Sequence, residues 1–380
     1  MTLTFVTNLV HHHQIPVADE LYKLLGDSYH YVATQQLPDW LIKGGYDPTL
    51  DRSYITRTYL SDKEMTKARK LIDESDVVIM GDAPSIWAEK RNKEGKVTFY
   101  CTERIYKKNI PWLKLPWHAY VHFKNYARFK NTYLLCASAY TASDFALSGC
   151  FIGKAFKWGY FTEVDNDFKI EAPNPGASIL EITPLMWCAR FLRLKHPELP
   201  VQLAARLKHK GYRFVIDMFG SGDEFDKTKK LIENNGVTDC VNLCGNRPNE
   251  EILKEMRKHK IFLFTSDRNE GWGAVLNEAM ANGCVPVACE EIGSAPYLIR
   301  DGVNGLMFHS NDINSLEKEV CSLLDTPKKI TTMSKEALYT MRNVWSPRNA
   351  AFNLVDLIQY ILNGRLRDYC RKDGPASWSH

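Results

Sequence analysis

Apolar and polar positions follow two recurring patterns along this chain. Short runs that are apolar at nearly every position, bounded by turn-forming residues, read as strands buried on both faces. In the first half they fall at Leu3–Thr7, Tyr29–Thr34, Asp76–Met80, Val97–Cys101 and Tyr133–Ala137. Between them lie helical stretches such as Pro16–Leu25 and Lys63–Glu74, the second with Met65, Ala68 and Leu71 recurring at helical spacing. Further on, the strands expected at Leu185–Cys188, Arg213–Met218, Cys240–Leu243, Ile261–Thr265 and Val285–Ala288 alternate with helices at Pro200–Lys208, Phe225–Asn234, Asn249–Lys258 and Ala274–Asn282. Strand–helix alternation of this kind predicts parallel, doubly wound sheets.

The alternation is interrupted at 165–178, a polar stretch with two prolines and a glycine that reads as a linker. The expected organisation is an α/β fold of two Rossmann-like domains facing a cleft. They span 1–164 and 179–345, and ligands should sit beyond the carboxyl ends of the strands. Ser346-Pro347 is an N-cap followed by proline at the first helical position. Ala351, Leu354, Val355, Ile358, Ile361 and Leu362 then form one apolar stripe that Gly364 stops, and a polar tail completes the segment 346–380.

Composition narrows the picture. The chain has 380 residues, 44 % apolar and 25 % charged, the balance of an ordinary globular protein. No apolar run approaches the roughly 18 residues a membrane span needs, and the start lacks the features of a signal peptide. Ten scattered cysteines fit free thiols in a reducing compartment, so a cytoplasmic protein is expected. A net charge of only +4 argues against nucleic acid as partner.

The segment with the most chemistry is Glu270-Gly-Trp-Gly-Ala-Val-Leu-Asn-Glu278, directly after the strand ending at Thr265. A strand, a glycine-bearing turn and a helix start offer main-chain N–H groups and the positive end of the helix dipole to an anion. Gly271 and Gly273 would let a phosphate approach the main chain closely. Glu278 lies about one turn inside the helix, and its side chain leans back towards the N-terminus. Two carboxylates flanking a phosphate cradle suit a ligand with a diphosphate centre and hydroxyl-rich ends, the layout of a nucleotide sugar. A solvated loop glutamate beside a helix-surface glutamate would look the same in this segment alone.

This segment resembles the E-x7-E motif of glycosyltransferase family 4, whose members are retaining enzymes with the two-domain GT-B fold, and the type resembled is that of bacterial polysaccharide biosynthesis. The likeness extends to Asn282-Gly-Cys-Val-Pro-Val, Ile292-Gly-Ser-Ala-Pro-Tyr and Asp301-Gly-Val-Asn-Gly-Leu. Upstream it includes Cys188-Ala-Arg190, Lys195-His-Pro-Glu, Phe219-Gly-Ser-Gly222 and Leu243-Cys-Gly-Asn-Arg-Pro, covering most of 185–310 in order. The resemblance implies that Glu270 holds donor-sugar hydroxyls and Glu278 the ribose. It places Gly271, Trp272, Gly273, Ala274 and Val275, with Arg190 and Lys195, around the diphosphate, and Gly220, Asn246 and Arg247 near the nucleotide. It also implies that the last helix returns to the N-terminal domain, where the acceptor binds. Fixed cations at a dry site are what a departing diphosphate requires, and no metal or other cofactor is then needed. The bland reading of Arg190 and Lys195 is a surface ion pair with Glu198.

Other features are weaker. Gly220-x-Gly222 lacks the third glycine and the later acid of a dinucleotide fingerprint. Asp165-Asn-Asp167 spells a metal-binding triplet, but in the linker. Cys240 and Cys244 have no histidine at zinc spacing. His11-His12-His13 follows the first strand, where the family often has glycines, and His12 or His13 is expected on the acceptor side. Where many family members carry a histidine after the fourth strand, this chain has Glu103-Arg104. Glu103 either substitutes for that histidine or only pairs with Arg104. From Arg104 to Ser143 there is no acidic residue, and lysines and arginines interleave with tryptophan, tyrosine and phenylalanine. That pattern suits an anionic bilayer surface, or a helix with an apolar core face and a solvated basic face. The segment resembles the corresponding part of GT-B enzymes acting on lipid-linked acceptors. The expectation is a glycosyltransferase moving a sugar from a nucleotide-sugar donor to a glycan or lipid-linked hydroxyl, in the cytoplasm or at the inner membrane face. The alternatives are a sugar-nucleotide epimerase and a non-catalytic nucleotide-sugar binder.

Overall fold

The computed structural model describes residues 1–39, 42, 49–108, 110–170 and 182–379. Contacts divide the chain into two units, Met1–Glu163 with Val344–His380, and Val164–Asn343. From residue 171 onward, the stretch read as a linker lies outside the described residues.

The first unit holds β1 (Leu3–Thr7), β2 (Tyr29–Ala33), β3 (Ile55–Arg57), β4 (Val77–Met80), β5 (Val97–Thr102), β6 (Thr132–Cys136) and β7 (Ala155–Lys157). Their order is β3-β2-β1-β4-β5-β6-β7, with every described pairing parallel. The second unit holds β8 (Thr183–Cys188), β9 (Phe214–Phe219), β10 (Val241–Gly245), β11 (Ile261–Phe264), β12 (Val285–Cys289) and β13 (Leu306–Phe308). Its order, β10-β9-β8-β11-β12-β13, is the same winding and again parallel. The central strands are apolar on both faces because helices cover both: β1, β11 and β12 are buried at every position. The strand order reverses at β1/β4 in one unit and at β8/β11 in the other. Crossovers leave in opposite directions there, which opens a crevice beyond the carboxyl ends.

Helix starts follow local rules. Ser61 accepts the Glu64 N–H ahead of the helix Asp62–Glu74, Asp312 caps Ile313–Leu324, and Ser346 caps Pro347–Leu362. That last helix packs against Ile15–Leu25 within the first unit. The edge strands β3, β7 and β13, three residues each, escaped the periodicity because so few positions show no period.

Two sequence expectations are corrected. The tail after Gly364 is not a solvated polar end: Pro375, Ala376 and Ser377 are buried. The Trp378 ring lies 4.7 Å from Phe156, and main-chain bonds from Ala376 and to Ser377 join the tail to Lys157. It thereby covers the β7 edge. The helix Leu115–His122 has no apolar face in the core, since none of its residues is buried. Trp117 and Tyr120 are exposed, while Leu115 and Val121 are half-buried.

Candidate functional site

The E-x7-E segment begins just past β11, and the Arg190–Lys195 loop follows β8, so the switch point of the second unit brings them together. Lys195 Nζ forms an ion pair with Glu270 Oε2, and both side chains are largely shielded, at 13 % and 15 % exposure. The bland pairing with Glu198 is therefore wrong: Glu198 Oε1 binds His196 Nδ1 at 2.7 Å. Three residues along the sequence is a short reach, but the strand order makes Glu270 the partner. Arg190 is exposed and has no ion pair among the described residues.

A lattice of bonds fixes the Lys195 loop. Trp187 Nε1 donates to Thr265 Oγ1 at 2.9 Å, and that hydroxyl donates to the Lys195 carbonyl at 2.6 Å. Asp267 N–H donates to the Leu194 carbonyl at 3.0 Å. His196, in the left-handed region at φ 49°, also reaches Asp267 Oδ2 at 3.3 Å. Its pKa is raised by the hydrogen bond to Glu198, with Asp267 adding to it. Thr265, His196 and Asp267 were missed in the sequence, because their partners lie about 70 residues away in sequence and no local pattern marks them.

The glycines are required first by packing. At Gly273, with φ 83°, a Cβ would lie 2.4 Å from Phe264 Cζ. At Gly220, with φ 128°, it would lie 2.0 Å from the Ala189 carbonyl oxygen, next to the loop that bears Arg190. Trp272 is fully buried, and its indole N–H donates to Asn277 Oδ1 at 2.9 Å, so its side chain anchors the loop and does not face a ligand. Ala274 and Val275 are half-buried at the start of the helix Val275–Ala281. Gly271 is buried beside them. The N–H groups of Gly273, Ala274 and Val275 donate to no acceptor among the described residues. Asn246 and Arg247 are exposed after β10, where Arg247 approaches Glu251 at 4.0 Å.

Glu278 is half-buried, with Asn249 Nδ2 at 3.4 Å from Oε1. Burial pushes its carboxyl up to about 7, only partly opposed by that bond. The folded state therefore holds the proton above the pH at which the unfolded chain releases it. Between about pH 4.5 and 7 the carboxyl makes folding progressively less favourable, and above pH 7 the full cost persists. Glu278→Gln should raise Tm at pH 8 by several degrees, at about 2–4 °C per kcal/mol for a unit of this size, and by little at pH 4.5. Scanning calorimetry at the two pH values checks this, and an equal gain at both would mean that ionisation is not the cause. A carboxylate that costs stability where it sits is a mark of a functional site.

In the first unit, Glu103 follows β5 and does not pair with Arg104. Its Oε2 accepts from Lys107 Nζ at 2.7 Å and its Oε1 from the Tyr160 hydroxyl at 2.9 Å. Arg104 is buried, its guanidinium 4.5 Å from the Tyr140 ring and its Nε 3.9 Å from Asp144. The Tyr160 ring stacks towards His13 at 6.3 Å, which links Glu103 to the histidine run after β1. Burial lowers the pKa of His11, His12 and His13, the last to about 3, so these rings are neutral at pH 7. Asp165 serves the chain itself: Oδ1 accepts from Asp167 and Phe168 N–H groups, and Oδ2 from Arg257 at 2.9 Å.

Residues 185–338 match the family model described as glycosyl transferases group 1. The chain is 31 % identical over 147 residues to the poly(glycerol-phosphate) alpha-glucosyltransferase of Bacillus subtilis, covering 38 % of this chain and 21 % of that one. It is 32 % identical over 133 residues to the amylovoran biosynthesis glycosyltransferase AmsK of Erwinia amylovora, covering 34 % and 32 %. These matches thus span only about a fifth to a third of each relative's length. Among solved structures, Anabaena HepE in complex with UDP superposes with a TM-score of 0.65 at 14 % identity, covering 96 % of this chain and 100 % of that one. Two Rossmann-like parallel-sheet units and this likeness establish the α/β GT-B fold.

Proposed function

We infer that this protein is a retaining, family 4-like glycosyltransferase. It moves a sugar from a nucleotide-sugar donor to a hydroxyl of a glycan or lipid-linked acceptor, in the assembly of a bacterial polysaccharide. The observation that carries the reading is the shielded Lys195–Glu270 pair at the β8/β11 switch point, followed in the same segment by Glu278, one turn inside the next helix, with its carboxyl pushed up to about 7. A cation already desolvated and fixed by its loop is matched to the charge that grows on a leaving diphosphate. Arg190 and the N–H groups of Gly273, Ala274 and Val275 add to it, so the site needs no metal in this reading. Glu270 accepts hydroxyls of the donor sugar, and Glu278 accepts those of the ribose. The bond from the anomeric carbon to the diphosphate breaks, and the acceptor oxygen bonds to that carbon on the same face. The acceptor proton passes to a diphosphate oxygen. Glu103, held by Lys107 and Tyr160, and His12 or His13 serve the acceptor side. The likeness to glycosyltransferases supports sugar transfer, the UDP bound to a protein of the same fold supports a nucleotide donor, and the ten free cysteines fit a reducing cytoplasm.

The direct test presents a panel of nucleoside diphosphate sugars with lipid-phosphate and glycan acceptors, and reads the product by proton NMR. One donor should give an α-linked product together with free nucleoside diphosphate. Formation of an isomeric nucleotide sugar with no acceptor present would replace transfer by epimerisation. Binding without turnover of any donor would leave only a binder. In the same preparation, Glu278→Gln should weaken nucleoside diphosphate binding by about 1–3 kcal/mol, the size of hydrogen bonds to a charged group.

A further inference from the structure

The segment between β5 and β6 presents an inverted amphipathic element. Its short turn Trp112–Lys114, the helix Leu115–His122 and the wide turn Phe123–Ala127 contain no buried residue. His118, His122 and Tyr126 face the unit: His118 Nδ1 lies 3.1 Å from the Tyr106 hydroxyl, His122 Nδ1 lies 2.7 Å from Ser148 Oγ, and the Tyr126 ring packs 4.6 Å from Tyr100. The opposite side carries Leu113 at 99 % exposure, Trp112 at 66 %, Trp117 at 64 %, Tyr120 at 57 % and Phe123 at 56 %. Helices of globular proteins turn such a face to the core, and contiguous exposed apolar surface marks an interaction site.

Charge selects the occupant. No Asp or Glu occurs between Arg104 and Asp144, and Lys107 is neutralised locally by Glu103. Lys114, Lys124, Arg128 and Lys130 are exposed and make no ion pair among the described residues. Two copies meeting through this face about a two-fold axis would oppose these cations to one another. A ridge with leucine at the tip, tryptophan and tyrosine around it and unpaired cations at its base matches a bilayer whose headgroups are anionic.

We propose that residues 112–128 form a docking ridge for an anionic phospholipid surface. Leu113, Trp112 and Trp117 enter the acyl boundary, and Lys114, Lys124 and Arg128 contact lipid phosphates. The inference is independent of the donor chemistry, because the ridge and the Lys195–Glu270 site lie in different units.

The test is sedimentation of the full chain with phosphatidylcholine vesicles, with and without phosphatidylglycerol. Binding should require the anionic lipid and fall when salt is raised to about 0.5 M, where screening is strong. Lys114→Gln, Lys124→Gln and Arg128→Gln together should lower partitioning about 100-fold, at about fivefold per charge. Leu113→Ser with Trp117→Ser should lower it at least about tenfold while leaving Tm unchanged, since neither side chain is buried. Lipids brominated in the acyl chain should quench tryptophan fluorescence, and the quenching should fall in Trp112→Phe with Trp117→Phe. A folded protein that ignores anionic vesicles at low salt overturns the proposal. So does binding that survives both sets of substitutions, or a concentration-dependent dimer that Leu113→Ser dissolves.

Discussion

Glu270→Gln should lower sugar transfer by about 10²-fold or more while nucleoside diphosphate affinity stays level or rises slightly. The side chain is retained in shape, so the loop turn at Gly273 survives. What is lost, on the proposed function, is the charge that orients the sugar hydroxyls, an interaction that matters mostly as the anomeric bond breaks. The direction on nucleotide affinity follows from the ion pair with Lys195. In the empty site Glu270 competes with phosphate for that ammonium group, and glutamine competes less. Steady-state kinetics with calorimetric titration of the nucleotide separates the two effects. Parallel losses in transfer and in nucleotide binding would mean that Glu270 serves the loop and not the sugar.

Lys195→Met should be the more damaging substitution, lowering transfer by about 10³-fold and weakening nucleoside diphosphate binding by about 10–100-fold. A fixed cation contributes through charge-assisted hydrogen bonds, about twice as strong as neutral ones, and most strongly to the charge of the departing group. The variant also leaves Glu270, only 15 % exposed, without its partner. A buried charge stripped of its partner is destabilising, so Tm should fall. Adding Glu270→Gln to Lys195→Met should restore much of that Tm without restoring transfer. Double-mutant analysis of Tm and of the transfer rate checks both halves. Additive losses of Tm would show that the two side chains act separately.

Much of the architecture was legible along the chain. Continuous apolar runs marked most of the strands because parallel strands are buried on both faces, and Ser346-Pro347 marked a helix start because capping acts over three residues. The loops of the proposed site were legible as strand ends: Arg190, Glu270 and Glu103 each follow a strand, and the strand ends are where this winding opens. The partners of those residues were not. Lys195 has Glu198 three positions away in the sequence, yet it binds Glu270, and Glu103 binds Tyr160 in preference to its neighbour Arg104.

Arg91 makes the same point in the fold. It sits in Glu-Lys-Arg-Asn-Lys, a stretch that reads as solvated, yet its guanidinium is fully buried. It donates to the carbonyls of Ile72, Ser75, Asp76 and Val97 and to Thr98 Oγ1. The helix Leu115–His122 reverses the usual reading in the other direction, with its aromatics outside.

The sequence by itself determined most of the elements, the parallel doubly wound class of the two sheets and the loops proposed to carry the chemistry. Those depend on periodicity, capping and turn chemistry within a few residues of each position. Tertiary structure alone decided which carboxylate meets Lys195, why Glu278 resists ionisation, and which side of the helix Leu115–His122 meets solvent. Coulomb attraction, desolvation and burial depend on distance in space, and the strand order brings together groups that lie some 70 residues apart along the chain.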